Sequence, residues 1–293
     1  MRNIYDIFEE RKIHEEYFDL INGKSEINLE HLLVQLDECS NYTDDIYLIT
    51  ESINKENIKK AWDRFVKFVT DLWDKFLTWV DVVIGKMKKK QVETSNIEKN
   101  YDVRDVLFKV RDIELNTIYY KKSVKDCMND TFGFNRISNT ILEKLYDYEK
   151  YINLGLTSDS FILKFTSIKD INDIPNEMFK SFGISEDKAV QTKKFNNISS
   201  LTIQQSLSTY DEAIRSVEKA KQDASIFYKR ELNKLKNSSD EEFKKKVGFL
   251  TRIFKIHQIL IRYSIIGINK VYMNHVNIFK KAIEKYEGME NNS

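Results

Sequence analysis

Long stretches with a helical repeat of apolar residues alternate along the chain with short polar stretches. Apolar residues recur at spacings of three and four over residues 55–90 and again over residues 206–286. This spacing places them on one stripe of a 3.6-residue helix, the side that a folded protein buries. Shorter apolar stripes in residues 1–21 and 29–36 predict two further helices near the N-terminus.

The last third of the sequence predicts two long helices joined by a tight turn at residues 236–239. Ser239, with Glu242 three residues later, forms a capping box that starts the second helix. That helix continues to about Tyr286, a length of roughly 70 Å. Two amphipathic helices with a short connection are typical of an antiparallel hairpin. Such a hairpin packs either on its own chain or on another one.

The middle of the chain has a mixed pattern. Apolar spacing predicts two or three helical pieces over residues 102–154, broken at residues 131–134. Residues 161–168 are aromatic and β-branched, which predicts a short strand, and residues 189–192 predict a second one. Residues 91–101 are polar and aperiodic, so they are predicted to form a linker.

These patterns predict a mainly α protein with a long C-terminal antiparallel helical hairpin, an aromatic amphipathic helix near the N-terminus and a small β element in the middle. The single proline and the eight glycines among 293 residues agree with this, because turn-dense β architectures need more of both. The predicted segments are an acidic, removable N-terminal helical segment at 1–54, the aromatic helix at 55–90, the linker at 91–101, the mixed region at 102–205 and the hairpin at 206–293.

Sequence motifs for catalysis or metal binding are missing from the chain. Cys39 and Cys127 are the only cysteines, which excludes a disulfide framework and a cysteine-rich zinc site. His257 and His275 fall on one predicted helix about 27 Å apart, too far to share an ion. Phosphate-binding glycine loops and nucleophile elbows are also missing. The sequence therefore predicts a non-enzymatic protein with no catalytic residue, no metal and no cofactor.

Membrane interaction is open for one segment only. No window of 18 uncharged apolar residues occurs, so no transmembrane helix is predicted. All three tryptophans, however, lie in the helix predicted at 55–90. An amphipathic helix of this kind either packs in a core, binds a protein partner or lies in a membrane interface. The residues proposed for this membrane or partner face are Trp62, Phe65, Trp73, Phe76 and Trp79.

Charge is distributed unevenly along the chain. Residues 1–57 hold five lysines and arginines against fourteen acidic residues, although the whole chain has a net charge of only +1. Between Glu242 and Glu284 the last helix has no acidic residue. Such a run either neutralises the phosphates of a polyanion or pairs with acidic residues of the neighbouring helix, such as Asp211 and Glu218. The predicted polyanion contacts are Lys244, Lys245, Lys246, Arg252, Lys255 and Arg262.

The layout resembles that of internal virion structural proteins of large tailed phages that infect low-GC Gram-positive bacteria. The resemblance rests on the acidic opening at residues 3–11, the segment at 47–52, the aromatic helix that begins at 61–65 and the hairpin ending in residues 270–275. It implies a position inside the capsid and contacts with other virion proteins or, without sequence specificity, with packaged DNA. A membrane-interacting protein that acts on the host envelope is the alternative function. Oligomers are compatible with either.

The resemblance also implies processing of the N-terminus by a prohead protease, which favours Ile or Leu two residues before a Glu. Ile49 and Glu51 fit this pattern at the end of the acidic segment, and the product would begin at Ser52. The same pattern occurs at Glu9, Glu15, Glu38, Glu143 and Glu186. Cleavage after Glu51 is favoured because this residue lies at the end of the acidic segment, where the chain changes from acidic to basic.

Overall fold

The structure is a computed structural model that describes residues 55–166, 173–184, 191–235 and 240–291. The predicted helices before residue 55 and the predicted turn at 236–239, with its capping Ser239, lie outside these residues. The chain divides into two compact units, Met1–Asp81 and Val82–Ser293. The packing described in this subsection is that of the second unit.

The described residues are mainly helical, with one small sheet, as the sequence predicts. The helices are α1 (Lys55–Glu98), α2 (Val103–Lys109), α3 (Val124–Asn129), α4 (Phe134–Leu145), α5 (Tyr148–Asn153), α6 (Ser158–Thr166), α7 (Ile174–Ser181), α8 (Ser200–Leu235) and α9 (Asp240–Glu290). The strands are β1 (Glu114–Thr117) and β2 (Gln191–Lys194), and a short 3-10 turn, Phe195–Asn197, follows β2.

The two longest helices of the second unit, α8 and α9, pack against each other along their lengths. Ser206 near the start of α8 contacts His275 near the end of α9, whereas Tyr228 contacts His257 in the first half of α9. This order of contacts makes the pair antiparallel, so the predicted hairpin is confirmed. Between these contacts the rings of Tyr210 and Tyr272 stack with their centroids 3.5 Å apart.

The short helices of the middle region cover the hairpin. Helices α3 and α4 pack mainly on α8, whereas α6 and α7 pack on α9. The hydroxyl of Ser264 in α9 donates to the carbonyl oxygen of Phe132 at 2.7 Å, which fixes the turn before α4. The middle region is therefore built on the hairpin.

The predicted linker at 91–101 is wrong, because α1 continues to Glu98. Thr94 is 4% exposed, and its hydroxyl donates to the carbonyl oxygen of Lys90 at 3.0 Å. Its side chain also hydrogen-bonds Tyr272 of α9. Tertiary packing thus keeps a polar stretch helical that has little helical signal of its own.

The small β element is confirmed, but one of its predicted strands is wrong. Residues 161–166 belong to α6, in which Phe161 and Phe165, one turn apart, stack edge to face. β2 overlaps the other predicted strand at residues 191–192. Its antiparallel partner is β1, which pairs Leu115 with Lys193 and lies where the sequence predicts helix.

Gly267 gives α9 room for a buried aromatic ring. A Cβ atom at this position would lie 2.4 Å from Cδ2 of Phe182, far inside the contact distance. Phe182 follows α7 and is fully buried, so its ring would have to shift within the packed interior. The absence of a side chain at Gly267 therefore permits the close approach of α7 to α9.

We expect Gly267→Ala to lower the free energy of unfolding by about 1–3 kcal/mol, the usual cost of overpacking a core. Gly248→Ala is the matched control, because a Cβ at Gly248 meets nothing within 4 Å in the same helix. The control should raise stability by up to about 1 kcal/mol, because alanine favours helix over glycine. Urea unfolding of both variants measures this, and equal stabilities would contradict the packing role of Gly267.

Candidate functional site

His275 lies at the centre of a buried polar cluster. Its Nδ1 is 2.7 Å from Oγ of Ser206 on α8, and its Nε2 is 2.8 Å from the carbonyl oxygen of Tyr120. The Ser206 hydroxyl also accepts a hydrogen bond from the backbone N–H of Val124 at 3.0 Å. A carbonyl only accepts, so Nε2 carries the proton and Nδ1 accepts from Ser206.

A serine hydroxyl bonded to a histidine is also the pairing that activates a catalytic nucleophile. Here both side chains are fully buried, and the serine oxygen is occupied by the N–H that begins α3. The neighbouring Asn274 holds the same segment, because its Nδ2 donates to the carbonyl oxygen of Ile118 at 2.6 Å. The cluster therefore joins α8, α9 and the segment before α3.

A second buried histidine lies further along the hairpin. Nδ1 of His257 is 3.2 Å from the hydroxyl of Tyr228, and both side chains are fully buried. Burial lowers the pKa of His257 to about 4, and burial likewise lowers that of His275 to about 4. Both imidazoles are thus neutral at pH 7, because the folded protein offers their charged forms too little solvation.

Cys127 and Asp130 connect α3 to α7. Lys122 donates to Asp130 at 2.7 Å, and the hydroxyl of Ser181 at the end of α7 donates to the other carboxylate oxygen. Burial raises the pKa of Asp130, but these hydrogen bonds outweigh it and the net pKa is lowered. Burial raises the pKa of the Cys127 thiol to about 12. Cys127 is fully buried, so its thiol stays protonated at pH 7.

Two residues of the basic run of α9 form ion pairs within the chain. Lys246 donates to Glu149 of α5 at 2.8 Å, and its side chain is only 12% exposed. Arg252 donates to both carboxylate oxygens of Asp159 in α6, from Nε at 3.0 Å and from Nη2 at 3.3 Å. These two residues of the run therefore pair with acidic residues of the short helices α5 and α6.

The rest of the predicted polyanion set differs in placement. Arg262 is half-buried, with its guanidinium 5.6 Å above the ring of Tyr263. Lys245 is exposed and also interacts with another residue of the chain. The side chains of Lys244 and Lys255 lie outside the described residues, although α9 includes both positions.

The aromatic face of α1 is described from Trp73 onwards. Trp73 and Phe76 are buried, at 2% and 1% exposed, and Trp79 is half-buried. The rings of Phe76 and Trp79 stack with their centroids 5.9 Å apart. The side chains of Trp62 and Phe65 lie outside the described residues. So do Ile49, Glu51 and Ser52 of the predicted processing site.

Several functional contacts were not predicted from the sequence. Glu149 and Asp159 have no sequence signal as partners of α9, because pairing between helices depends on tertiary packing. The bonds from His275 and Asn274 to backbone carbonyl oxygens have none either. The one available signal was the position of both residues on the apolar stripe of α9, which indicates burial.

Metal binding and membrane spanning are two further properties on which the described residues bear. Among the described residues, no group of three or more histidine, cysteine, aspartate or glutamate side chains is arranged to hold a metal ion. Within the same residues, every helix is too short or too polar to cross a membrane. Comparison of the chain with protein-family models, with curated proteins and with solved structures found no match.

The two buried histidines make stability depend on pH in a defined range. Their folded pKa of about 4 lies below the value of about 6.5 in an unfolded chain, so the unfolded state binds protons first. The contribution of the histidines to the free energy of unfolding should therefore be constant above pH 6.5 and fall between pH 6.5 and 4, by about 3 kcal/mol for each histidine. Urea unfolding at a series of pH values measures this.

Asp130 affects stability in a lower pH range than the histidines do, so the two contributions to the pH dependence can be separated. The contribution of Asp130 is lost only below about pH 4, because its pKa is lowered from the carboxylate value. In His257→Phe, the fall between pH 6.5 and 4 should be about half that of the native chain. If the free energy of unfolding of His257→Phe fell between pH 6.5 and 4 as much as that of the native chain, it would contradict the assignment of this fall to the buried histidines.

The pair between Arg252 and Asp159 should contribute modestly to the packing of α6 on α9. A double-mutant cycle with Arg252→Gln and Asp159→Asn should give a coupling of about 0.2–1 kcal/mol, because both side chains are partly solvated. Urea unfolding of the four proteins at low salt measures the coupling. If the effects of the two substitutions on the free energy of unfolding were strictly additive, the pair would not contribute to the packing of α6 on α9.

Proposed function

We propose that the chain is a non-enzymatic structural protein of a phage particle, located inside the capsid. One observation carries the proposal: the chemically versatile side chains of the hairpin, His257, His275 and Ser206, are fully buried and hold helices together. Their positions suit a protein whose task is to keep a shape. The resemblance of the layout to internal virion proteins supplies the location.

The structure also bears on the alternative of membrane binding through α1. An interfacial helix inserts exposed apolar side chains into the headgroup region. Trp73 and Phe76 are already buried in the folded chain, and only Trp79 of the described tryptophans is half-buried. This burial favours a core or partner role for the aromatic face.

Mass spectrometry of purified particles of the phage that encodes the chain tests the proposal. Peptides from the described residues should occur in intact particles and should resist protease added from outside. A non-structural enzyme of the same phage, sought in the same sample, serves as the contamination control. Absence of the chain from particles that pass this control would overturn the proposal.

The same sample tests the proposed processing after Glu51. We expect the N-terminus of the protein in mature particles to be Ser52, because cleavage there removes most of the acidic segment and leaves a basic body. An N-terminus at Met1 or Arg2 would end the cleavage hypothesis. It would leave the location in the particle intact.

A further inference from the structure

Two of the predicted polyanion contacts in α9, Lys246 and Arg252, are not the basic residues best placed to meet a polyanion. They are paired with Glu149 and Asp159. Exposed lysines gather elsewhere, where the last turns of α1 lie beside the C-terminal part of α9. Their surface, called the α1–α9 basic surface below, consists of Lys86, Lys89, Lys90, Lys280 and the single carboxylate of Glu93.

The spacing of these residues places them together. In α1, Lys86, Lys89, Lys90 and Glu93 stand at positions i, i+3, i+4 and i+7, so they share one face. All four are exposed, and the ammonium of Lys90 is 3.1 Å from the carboxylate of Glu93. Lys280 brings a further exposed charge from α9.

Tyr101, which follows α1, donates a hydrogen bond to Glu287 of α9, so the end of α1 lies beside α9. The pKa of Glu93 responds to lysines of both helices. It is lowered mainly by the hydrogen bond and charge of Lys90, and further by the charges of Lys89 and Lys280. Three lysines from two helices thus act on one carboxylate, which cannot neutralise them all. Glu284 follows Lys280 one turn later on α9 and bounds the surface on that side.

We propose that the α1–α9 basic surface binds the phosphate backbone of duplex DNA without reading its sequence. Duplex DNA presents about one negative charge per 1.7 Å of its axis, which flexible lysines on neighbouring helical turns can neutralise. Lysine acts as a point charge that follows a phosphate without a fixed geometry. This assignment rests on the proposed location in a DNA-filled capsid.

The test compares two double variants of the full chain with equal charge changes. Lys89→Gln with Lys280→Gln removes two charges from the surface. Lys125→Gln with Lys150→Gln removes two exposed lysines from α3 and α5 and serves as the control. Fluorescence anisotropy of a labelled duplex of random sequence gives the Kd of each protein over a range of salt concentrations. Thermal unfolding of all proteins establishes that they are equally folded.

Counterion release sets the expected size of the effect. Losing two phosphate contacts should reduce the slope of log affinity against log salt by about 2, and weaken binding on the order of 50-fold at about 0.1 M salt. The control variant should keep the slope of the native chain. Equal losses in the two variants, or native binding that ignores salt, would overturn the assignment.

The outcome separates this assignment from the proposed function. A folded native chain that fails to bind duplex DNA, yet is found inside particles, overturns the DNA-binding surface and leaves the virion role. A chain that binds DNA through this surface but is absent from particles retains the surface and loses the virion role.

Discussion

The buried hydrogen bonds between α8 and α9 hold the two longest helices of the second unit in a single register. Apolar contact is non-directional, so the stripes of two long helices tolerate sliding by a turn. The pairs Ser206–His275 and Tyr228–His257 do not, because a slide would leave buried polar groups unpaired. Each such group costs about 1–3 kcal/mol. Two polar pairs near opposite ends of the interface therefore select one alignment out of several.

The alignment of α8 with α9 also fixes the position of the middle region. Asn274 and His275 bond the carbonyl oxygens of Ile118 and Tyr120, while Ser264 bonds that of Phe132. These acceptors lie between short elements that cannot be stable alone, because helices below about 12 residues are marginal in water. Helix α9 therefore acts as the template on which the short helices and the two-stranded sheet assemble.

The long-range periodicity of α8 and α9 was enough to predict the hairpin, because each helix buries its own stripe. Residues 161–168 misled because aromatic and β-branched residues favour strands only where a pleated surface is available. The local signal for helix was nonetheless present. The Thr157 hydroxyl accepts from the N–H of Ser160, as at a helix N-terminus, and Phe161 and Phe165 are one turn apart. β1 had no such signal, since its only reason to be extended is its distant partner β2.

Charge was harder to predict than fold, for a related reason. A run of one sign in α9 indicates that partners exist but not where they are, and Glu149 and Asp159 came from helices that pack across it. Conversely, Lys89 and Lys280 are distant in the sequence, yet both act on Glu93 because α1 lies beside α9. A surface that attracts a polyanion is thus made by the packing of helices. Its residues can be identified only after internal ion pairs have been subtracted from the exposed charge.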